Sequence, residues 1–422
     1  MALVKNYHKL LMQTLILCLL SPALNGRIIK VGPARDIKGI SEAAALCEPG
    51  DTILIDNGTY KGGIMLNRLR GNGLLPVSIL AGKPGEVIIR GGESGIHLKD
   101  PAFILISGLV FEGQTGNGLN IDDDGDYSTP ATNIEISDCR WGNLNATGNN
   151  DQLKMSGVDF FTITDCNFSN GSPGGSMIDM VGCHHGTISG CTFSEAGMNA
   201  IQAKGGSSDL TIRRNRFTNP GERAINIGGS TGLEFFRPKG FEWEASGIRV
   251  WSNIFIGGGS AVAFVGASNC EVVNNTITGT TLWVVRILQE NRNEGMKPCS
   301  GNRFINNIVI FRAPGRPAVN IGPGTDPLTF SFSNNLWYNP DDPGWKGPGA
   351  SVNETNPIIG KDPMLNMQSF TPGKNSPAKA MGLSVDQPIT DFYSNGFREK
   401  RSIGAVEIIG AKLSSRPPRF FP

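Results

Sequence analysis

The chain has 422 residues, of which 39% are hydrophobic and 18% are charged, so it is long enough to bury a large core. It is longer than a compact globular domain usually is, which leaves two domains or one elongated repeat structure. The formal net charge of +1 excludes a global electrostatic attraction to nucleic acid or to an anionic membrane. Attraction to an anionic polymer would have to be local.

The first 26 residues are predicted to be a cleavable export signal. Lys5 and Lys9 give a basic start, and the apolar run from Leu10 to Leu20 is short for a membrane span and ends in small residues. An uncleaved anchor is the alternative interpretation. We therefore expect a secreted or periplasmic protein with no transmembrane segment in the mature chain.

A short amphipathic helix is predicted next, over Ile40 to Cys47, and a Pro-Gly turn leads from it into a strand. Such a helix would cap the first coil of a repeat structure and protect it from pairing with other sheet edges. We interpret it as an N-terminal cap.

A repeat of about two dozen residues runs through the middle of the chain. Cys139, Cys166 and Cys191 stand at one repeat position, 27 and 25 residues apart, and each lies between two short β-like runs. We expect these cysteines to stack inside a core as small apolar residues rather than to form disulfides. Later repeats carry asparagine at the same position: Asn215, Asn253, Asn275, Asn307 and Asn335. We expect each asparagine to occupy a turn with an unusual backbone angle and the stacked amides to hydrogen-bond from coil to coil.

A second strand of each repeat aligns through alternating apolar residues. Two columns are predicted to point inward: Leu153, Ile178, Ile201, Ile225, Val262, Val285 and Val319, and then Met155, Met180, Ala203, Ile227, Phe264, Ile287 and Ile321. The residues between them would point outward, in a column of Lys154, Asp179, Gln202, Asn226, Ala263, Arg286 and Asn320. The sequence therefore predicts a solenoid of parallel strands over 27–352.

After the last coil the sequence stops repeating. Residues 353–409 carry Pro, Gly and Ser without a period, and we interpret them as a C-terminal cap packed on the solenoid. The tail over 410–422 is predicted to be disordered.

The motifs PGDTILIDNGTY, SPAKAMG and IGAVE, together with the coil pattern, resemble right-handed parallel β-helix proteins, and they are similar to the chondroitinase B and alginate lyase group. The resemblance covers nearly the whole mature chain. It implies an all-β fold, a single-stranded right-handed parallel β-helix of the pectate-lyase type. It also implies a polysaccharide as the partner, and β-elimination on a uronate-containing glycan as the reaction.

The resemblance suggests catalytic residues. Lys204 matches the general base of the lyase group, and Arg223, one coil later, is the candidate acid or carboxylate clamp. Our alignment places Gly228 beside Lys204, so Arg223 lies five positions away, roughly 16 Å along the strand. The group's acidic calcium ligands would fall near Gly197 and Asn199, which supply no carboxylate, so no metal ligand is assigned and calcium stays open.

Carboxylate groups offer two alternative sources of chemistry. The acidic run from Asp122 to Asp126 is either a calcium-binding loop or a solvated loop. A glycoside hydrolase would need paired carboxyl groups, and Asp151 and Asp179 are the natural pair, with a separation of roughly 11 Å expected from coil and strand spacing. We expect loop acids such as Glu244 to be surface residues.

The remaining alternative is a carbohydrate-binding protein without catalysis, in which the outward column only solvates the sheet. Under the binding and lyase interpretations alike, the substrate-binding candidates are Lys154, Asp179, Gln202, Asn226, Arg286 and Trp243. Trp243 belongs to an insertion over Ser230 to Gly247 that places aromatic beside basic residues, a combination suited to sugar rings and carboxylates or to roofing the core.

Overall fold

The computed structural model describes residues 26–312, 315–349 and 351–408, and almost all of its regular structure is β-strand. Three parallel sheets run side by side along the chain, and successive strands pair with the equivalent strands one coil before and one coil after. The fold is a right-handed parallel β-helix, as predicted. The helices are short: one α-helix over Ile40–Ala45 and 3₁₀ turns over Leu233–Phe235 and Pro327–Thr329.

Each sheet takes one short strand from most coils. Sheet 1 contains Ile28–Val31, Thr52–Ile55, Val77–Ala81, Ala102–Ser107, Ala131–Ser137, Val158–Thr164, His184–Ser189, Thr211–Arg213, Arg249–Trp251, Glu271–Val273, Arg303–Ile305, Ser331–Ser333 and Glu354–Thr355, with a side branch of Ser207–Ser208, Ala245–Ser246 and Ala267–Ser268. Sheet 2 contains Ile64–Asn67, Ile96–Lys99, Leu119–Asp122, Leu153–Ser156, Ser176–Val181, Asn199–Lys204, Arg223–Gly228, Ser260–Val265, Val285–Leu288 and Val319–Ile321. Sheet 3 contains Gly58–Lys61, Val87–Arg90, Leu109–Glu112, Arg140–Gly142, Asn167–Ser169, Thr192–Ser194, Arg216–Thr218, Ile254–Ile256, Thr276–Thr278, Ile308–Ile310, Leu336–Tyr338 and Ile358–Ile359.

The core is a set of side-chain columns that follow the strand registers. The pairings Leu153↔Ile178 and Ile178↔Ile201 continue coil by coil to Val319, which confirms the predicted inward columns. In sheet 3, six rings stack on one another at centroid distances of 4.5–5.2 Å: Phe111, Trp141, Phe168, Phe193, Phe217 and Phe255. Offset stacking of this kind adds to the stabilisation from apolar burial.

The asparagine ladder is present. Asn215, Asn253 and Asn275 are buried. The side-chain oxygens of Asn253 and Asn275 each accept hydrogen bonds from the backbone N–H and the amide of the preceding ladder asparagine, and that of Asn215 accepts from the backbone N–H of Cys191. The ladder continues in the same way to Asn335, whose amide donates to Glu354. The prediction that these asparagines adopt the unusual backbone angle is wrong. The left-handed φ falls instead on the residue before each of them.

The seven cysteines of the described part are all unpaired, and Cys139, Cys166 and Cys191 are buried, as predicted from the repeat. Burial raises the pKa of the Cys139 thiol to about 12, which keeps this side chain an uncharged apolar group. These thiols therefore belong to the packing of the core.

The predicted N-terminal helix begins at Ile40 but ends at Ala45, two residues earlier than expected, and it buries Ile40 and Ala43 in the main core. Residues 354–359 add one more strand each to sheets 1 and 3, and farther along the chain Phe370 and Phe392 pack on Ile254 of sheet 3. The export signal predicted for 1–26, except for Gly26, and the predicted tail over 410–422 lie outside the described residues. The division of the chain at 352 stays a prediction.

Candidate functional site

Sheet 2 carries a mainly polar column on its outer face, which Ala263 interrupts. The registers Lys154↔Asp179, Asp179↔Gln202 and Gln202↔Asn226 continue through Ala263 and Arg286 to Asn320, as the sequence predicted. A second outward column lies two residues farther along each strand. It runs from Lys99 through Asp122, Ser156 and Val181 to Lys204, each paired in register with the next. The two columns place Lys154 and Lys204 on the same face, two coils apart.

The two lysines share one buried carboxylate. Asp179 is fully buried, and its Oδ2 contacts the Lys154 ammonium while its Oδ1 lies 3.4 Å from the Lys204 ammonium. Asp151, 1% exposed, adds a second carboxylate 3.5 Å from Lys154 and accepts a hydrogen bond from the Ser176 backbone N–H. The site is thus a pair of partly accessible ammonium groups above two buried acids.

Burial and mutual repulsion change the acid–base behaviour of this cluster. Burial, followed by the charge of Asp179, raises the pKa of Asp151 to about 6. Burial acts to lower the pKa of Lys154, but the charges of Asp179 and Asp151 outweigh it, and the pKa of Lys154 lies above its usual value. Lys154 is therefore a fixed positive charge, and it can neutralise an anionic group that enters the site.

A cleft of about 410 Å³ opens above the lysines. Its floor includes Lys154, Ser156 and Lys204, and its walls are two loops, one contributing Asp123 and Tyr127 and the other contributing residues 230–232 and Phe235. Asp123 is 4% exposed, and its Oδ2 has no hydrogen-bond partner within the described residues. The cleft therefore has the volume of a small-molecule binding site, with an aromatic wall and a charged floor.

The insertion that forms one wall is anchored by a buried cluster. Arg237 donates from Nη1 and Nη2 to the two oxygens of Asp159, at 2.6 Å each, and Nη1 also donates to the Gly182 carbonyl. His184 lies 2.8 Å from the same carboxylate. Burial acts to raise the pKa of Asp159, but the bonds from Arg237 and His184 outweigh it and hold that pKa well below its usual range.

Glu244 fixes the other end of the insertion, and its predicted surface role is wrong. Its side chain is fully buried and accepts hydrogen bonds from the Gly205 and Thr231 backbone N–H groups, the Thr231 hydroxyl and the Asn291 amide. A buried carboxylate with this many donors has a structural explanation. The sequence offered no signal for it, because its partners come from three separate segments.

Arg223 lies in a neighbouring cluster, not beside Lys204. It pairs with Asn199 in register, and Gln202↔Asn226 and Ala203↔Ile227 place Gly228 next to Lys204, as our alignment predicted. The Arg223 guanidinium donates to Asn226 at 2.9 Å and to Glu290 at 2.7 Å.

Arg286 extends this second cluster. Its guanidinium lies 4.4 Å from the Trp283 ring centroid and donates to Asn320 at 3.3 Å. Burial, followed by the nearby charge of Arg223, lowers the pKa of Arg286. The amides of Gln202 and Asn226 join the two clusters, since both donate to the Gly228 carbonyl. One face therefore carries two cationic groups in succession along the solenoid.

Trp243 does not line the cleft. Its ring lies 6.0 Å from Phe241 and carries the Lys297 ammonium at 4.9 Å. Phe235, which is 55% exposed, supplies the aromatic wall instead, and Phe236 is buried. Tyr127 and Asp123 were missed as wall residues because their loop lies far from the insertion in sequence, although Tyr127 donates to the Glu234 carbonyl at 3.1 Å.

The carboxylate pair does not have the separation that the sequence predicted. Asp151 and Asp179 contact the same ammonium, so their side chains converge although their backbone positions are far apart. Both are buried beneath the lysines, which prevents contact with a sugar ring. This geometry disfavours the acid and base roles that a hydrolase requires.

The acidic run does not form a convergent ligand set for calcium. Asp122 contacts His97, Asp124 accepts from Lys99, and Asp126 accepts from Ser128, so each carboxylate faces a different partner. Across the described residues, no group of three or more His, Cys, Asp or Glu side chains is placed to hold a metal ion. The described residues therefore do not fit a calcium site.

Comparisons agree with the fold. The family model described as "Right handed beta helix region" matches residues 94–255 and 153–344. The chain therefore belongs to this right-handed β-helix family. No curated protein matches it at a significant level. In the described residues, no helix combines the length and apolar character needed to cross a membrane.

The solved structures to which the chain is similar include three enzymes. Pectate lyase Pel9A is 14% identical, with 91% of this chain and 96% of that chain covered and a TM-score of 0.57. The A-module of mannuronan C-5 epimerase AlgE6 from Azotobacter vinelandii is 14% identical, with 76% and 93% covered and a TM-score of 0.50. An alginate lyase from a Paenibacillus species is also 14% identical, with 80% and 99% covered and a TM-score of 0.46.

Proposed function

We propose that this protein cleaves a uronate-containing polysaccharide by β-elimination in the cleft above Lys154 and Lys204. The observation that carries the proposal is the pair of ammonium groups on the cleft floor, held over the buried carboxylates of Asp151 and Asp179. The names of pectate lyase and mannuronan epimerase structures agree with an acidic glycan, but fold alone does not decide chemistry.

The two lysines suit different roles. β-Elimination removes the proton on the carbon next to the uronate carboxylate, forms a carbon–carbon double bond and breaks the bond to the glycosidic oxygen, which takes up a proton. Lys154 has two carboxylate neighbours and serves as the fixed charge that neutralises the substrate carboxylate. Lys204 has one, at 3.4 Å, and in its neutral amine form serves as the base.

Arg223 fits a carboxylate clamp better than a general acid. Its guanidinium stays charged and already binds the Glu290 carboxylate, which shows that it can accommodate a planar anion. Together with Arg286 it would hold the next uronate along the chain. Gln202 lies between the lysine and arginine clusters and is partly exposed, so its amide can meet a sugar hydroxyl. Asn226 is buried and instead accepts a hydrogen bond from Arg223.

The test is an absorbance assay for unsaturated sugar on pectate, alginate and glycosaminoglycan panels. We expect product on one panel, loss of at least 1,000-fold in Lys204→Ala, and a similar loss in Lys204→Arg, which keeps the charge but cannot act as base. Lys99→Ala is the matched control, because Lys99 lies in the same outward column and pairs with Asp124 outside the cleft.

Other outcomes separate the alternatives. Full activity in Lys204→Ala would remove the proposed base. Reducing ends without unsaturation would indicate hydrolysis, and glycan binding without any product would indicate a binding protein. We also propose that the protein acts after export, on the basis of the predicted N-terminal signal, which export of a reporter fused to residues 1–30 would test.

A further inference from the structure

A second set of exposed aromatic side chains lies on sheet 1, away from the sheet 2 cleft. Eight successive coils place a residue with left-handed backbone at one register position, with φ between +54° and +67°. These residues are Phe103, Asn133, Phe160, His185, Asp209, Gly247, Asn269 and Gly301. The turn itself therefore requires this backbone conformation in every one of these coils.

The residue types divide this column in two. The last four coils use Asp, Gly, Asn and Gly, which tolerate the left-handed conformation. Among the first four, Asn133 and His185 also tolerate it, but Phe103 and Phe160 do not suit it, because bulky side chains are rarely found there. Core packing does not explain Phe160, which is 55% exposed and stacks on the exposed His185 ring at 4.9 Å. The two phenylalanines therefore oppose the backbone preference, and Phe160 faces solvent while Phe103 is half-buried.

The aromatic part of the column borders a groove of about 270 Å³. Phe103 and Phe160 line it together with Pro76 and Leu105, and the polar groups of Asn72, Asn133 and Thr162 lie among them. The one charged residue that the described part of the chain contributes to the lining is Glu135. The groove combines flat apolar faces with hydrogen-bonding groups and a single negative charge.

We propose that this groove is a second carbohydrate site that binds a neutral glycan. The faces of Phe103 and Phe160 would stack on the C–H faces of pyranose rings, and Asn133 and Thr162 would bond to hydroxyls. The Glu135 carboxylate accepts from hydroxyls but repels uronates, so the ligand differs from the acidic polymer proposed for the cleft. The groove would hold the protein on a mixed polysaccharide surface.

Affinity electrophoresis of the full chain in gels containing neutral xylan, glucomannan or hydroxyethyl cellulose tests the proposal. We expect at least one neutral polymer to retard the protein, and Phe160→Asn to weaken that binding at least tenfold. The same substitution places a residue that favours the left-handed turn, so the thermal midpoint should stay unchanged or rise by about 1–2 °C. This combination separates lost binding from lost folding.

Two further variants complete the design. Asn269→Gly alters the same turn position four coils beyond Phe160, outside the groove, and should bind like the wild type. Lys204→Ala disables the cleft and should also retain the retardation by neutral polymer. Absence of retardation by every neutral polymer, unchanged binding in Phe160→Asn, or retardation by pectate and alginate alone would overturn the proposal.

Discussion

Asp151 and Asp179 lie on neighbouring coils, and their carboxylates contact one ammonium, that of Lys154. Because two buried carboxylates share one ammonium, the cluster carries an excess of negative charge when both acids are ionised. Lys204 offsets part of it from the next coil, at 3.4 Å from Asp179. The arrangement therefore links the stability of the solenoid at this point to the charges that the cleft presents.

The first prediction concerns the pH dependence of stability. The pKa of Asp151 is about 6 in the folded protein and 3.8 as the ordinary value, so the folded protein binds the extra proton between these limits. The protonated Asp151 carboxyl group therefore stabilises the folded protein, and this stabilisation is complete below pH 3.8 and is lost as the pH rises through 6. Urea unfolding of Asp151→Asn and wild type should show the variant gaining about 1–3 kcal/mol relative to wild type from pH 4 to pH 7.

Asp126→Asn is the control for this experiment. The Asp126 carboxylate is exposed, and the Ser128 hydroxyl bond lowers its pKa, so its small effect should have the opposite sign. A stability difference between Asp151→Asn and wild type that stays constant over this pH range would contradict the raised pKa.

The second prediction separates the two lysines by their effect on folding. Lys154→Ala leaves two buried carboxylates without their main partner and should reduce the free energy of unfolding by about 3 kcal/mol or more. Lys204→Ala leaves Lys154 in contact with both acids and should cost less than about 1 kcal/mol. Urea unfolding at pH 7.5 measures both, and equal losses would mean that the acids depend on the lysines to the same extent.

Most of the fold was predictable from the sequence because parallel coils repeat a local pattern. Alternation at Ile178 and Met180 identifies the inward face, and the positions of Cys191 and Asn215 identify the repeat. Each of these features depends on neighbours one coil away at a nearly constant sequence distance. The outward column from Lys154 to Asn320 follows from the same registers.

The site was less predictable because its contacts depend on side-chain reach and on loops. Backbone spacing alone separated Asp151 from Asp179, yet both side chains extend to Lys154. The insertion depends on Arg237 reaching Asp159, 78 residues earlier, and no periodicity indicates such a pair. For the same reason the wall residue Phe235 could not be distinguished from the buried Phe236.

The third prediction concerns the anchor of the insertion. Arg237→Ala removes both bonds to Asp159 and leaves that carboxylate beside His184, so the loop over 230–247 should detach from the solenoid. We expect new proteolytic cleavage within 230–247 and a rise in KM of about tenfold on the polysaccharide substrate.

Arg237→Lys should restore little of the protease resistance of the loop, because an ammonium group cannot bind both oxygens of Asp159 in the way that the guanidinium does. Arg312→Ala, which removes an exposed pair with Asp341, is the matched control and should leave the proteolysis pattern unchanged. Because the pKa of Asp159 is held below its usual value, the anchor should be intact above pH 4 and weaken as the pH falls further. A loop that remains resistant to protease in Arg237→Ala would show that Glu244 alone is sufficient to hold it.

The fourth prediction concerns the asparagine ladder. Asn275 accepts from the backbone N–H and the amide of Asn253, and its own amide donates to the Val250 carbonyl and to Asn307. Asn275→Ala leaves these groups unpaired in a dry core, so the free energy of unfolding should fall by about 2–4 kcal/mol. Asn275→Asp should lower it by a similar amount, because a buried carboxylate cannot donate to Asn307.

Asn269→Ala is the control for the ladder. It alters an exposed asparagine in the same coil and should lower the free energy of unfolding by less than about 1 kcal/mol, chiefly because alanine disfavours the left-handed backbone there. If urea unfolding gave equal losses for Asn275→Ala and Asn269→Ala, backbone conformation rather than the amide ladder would account for the asparagine repeat.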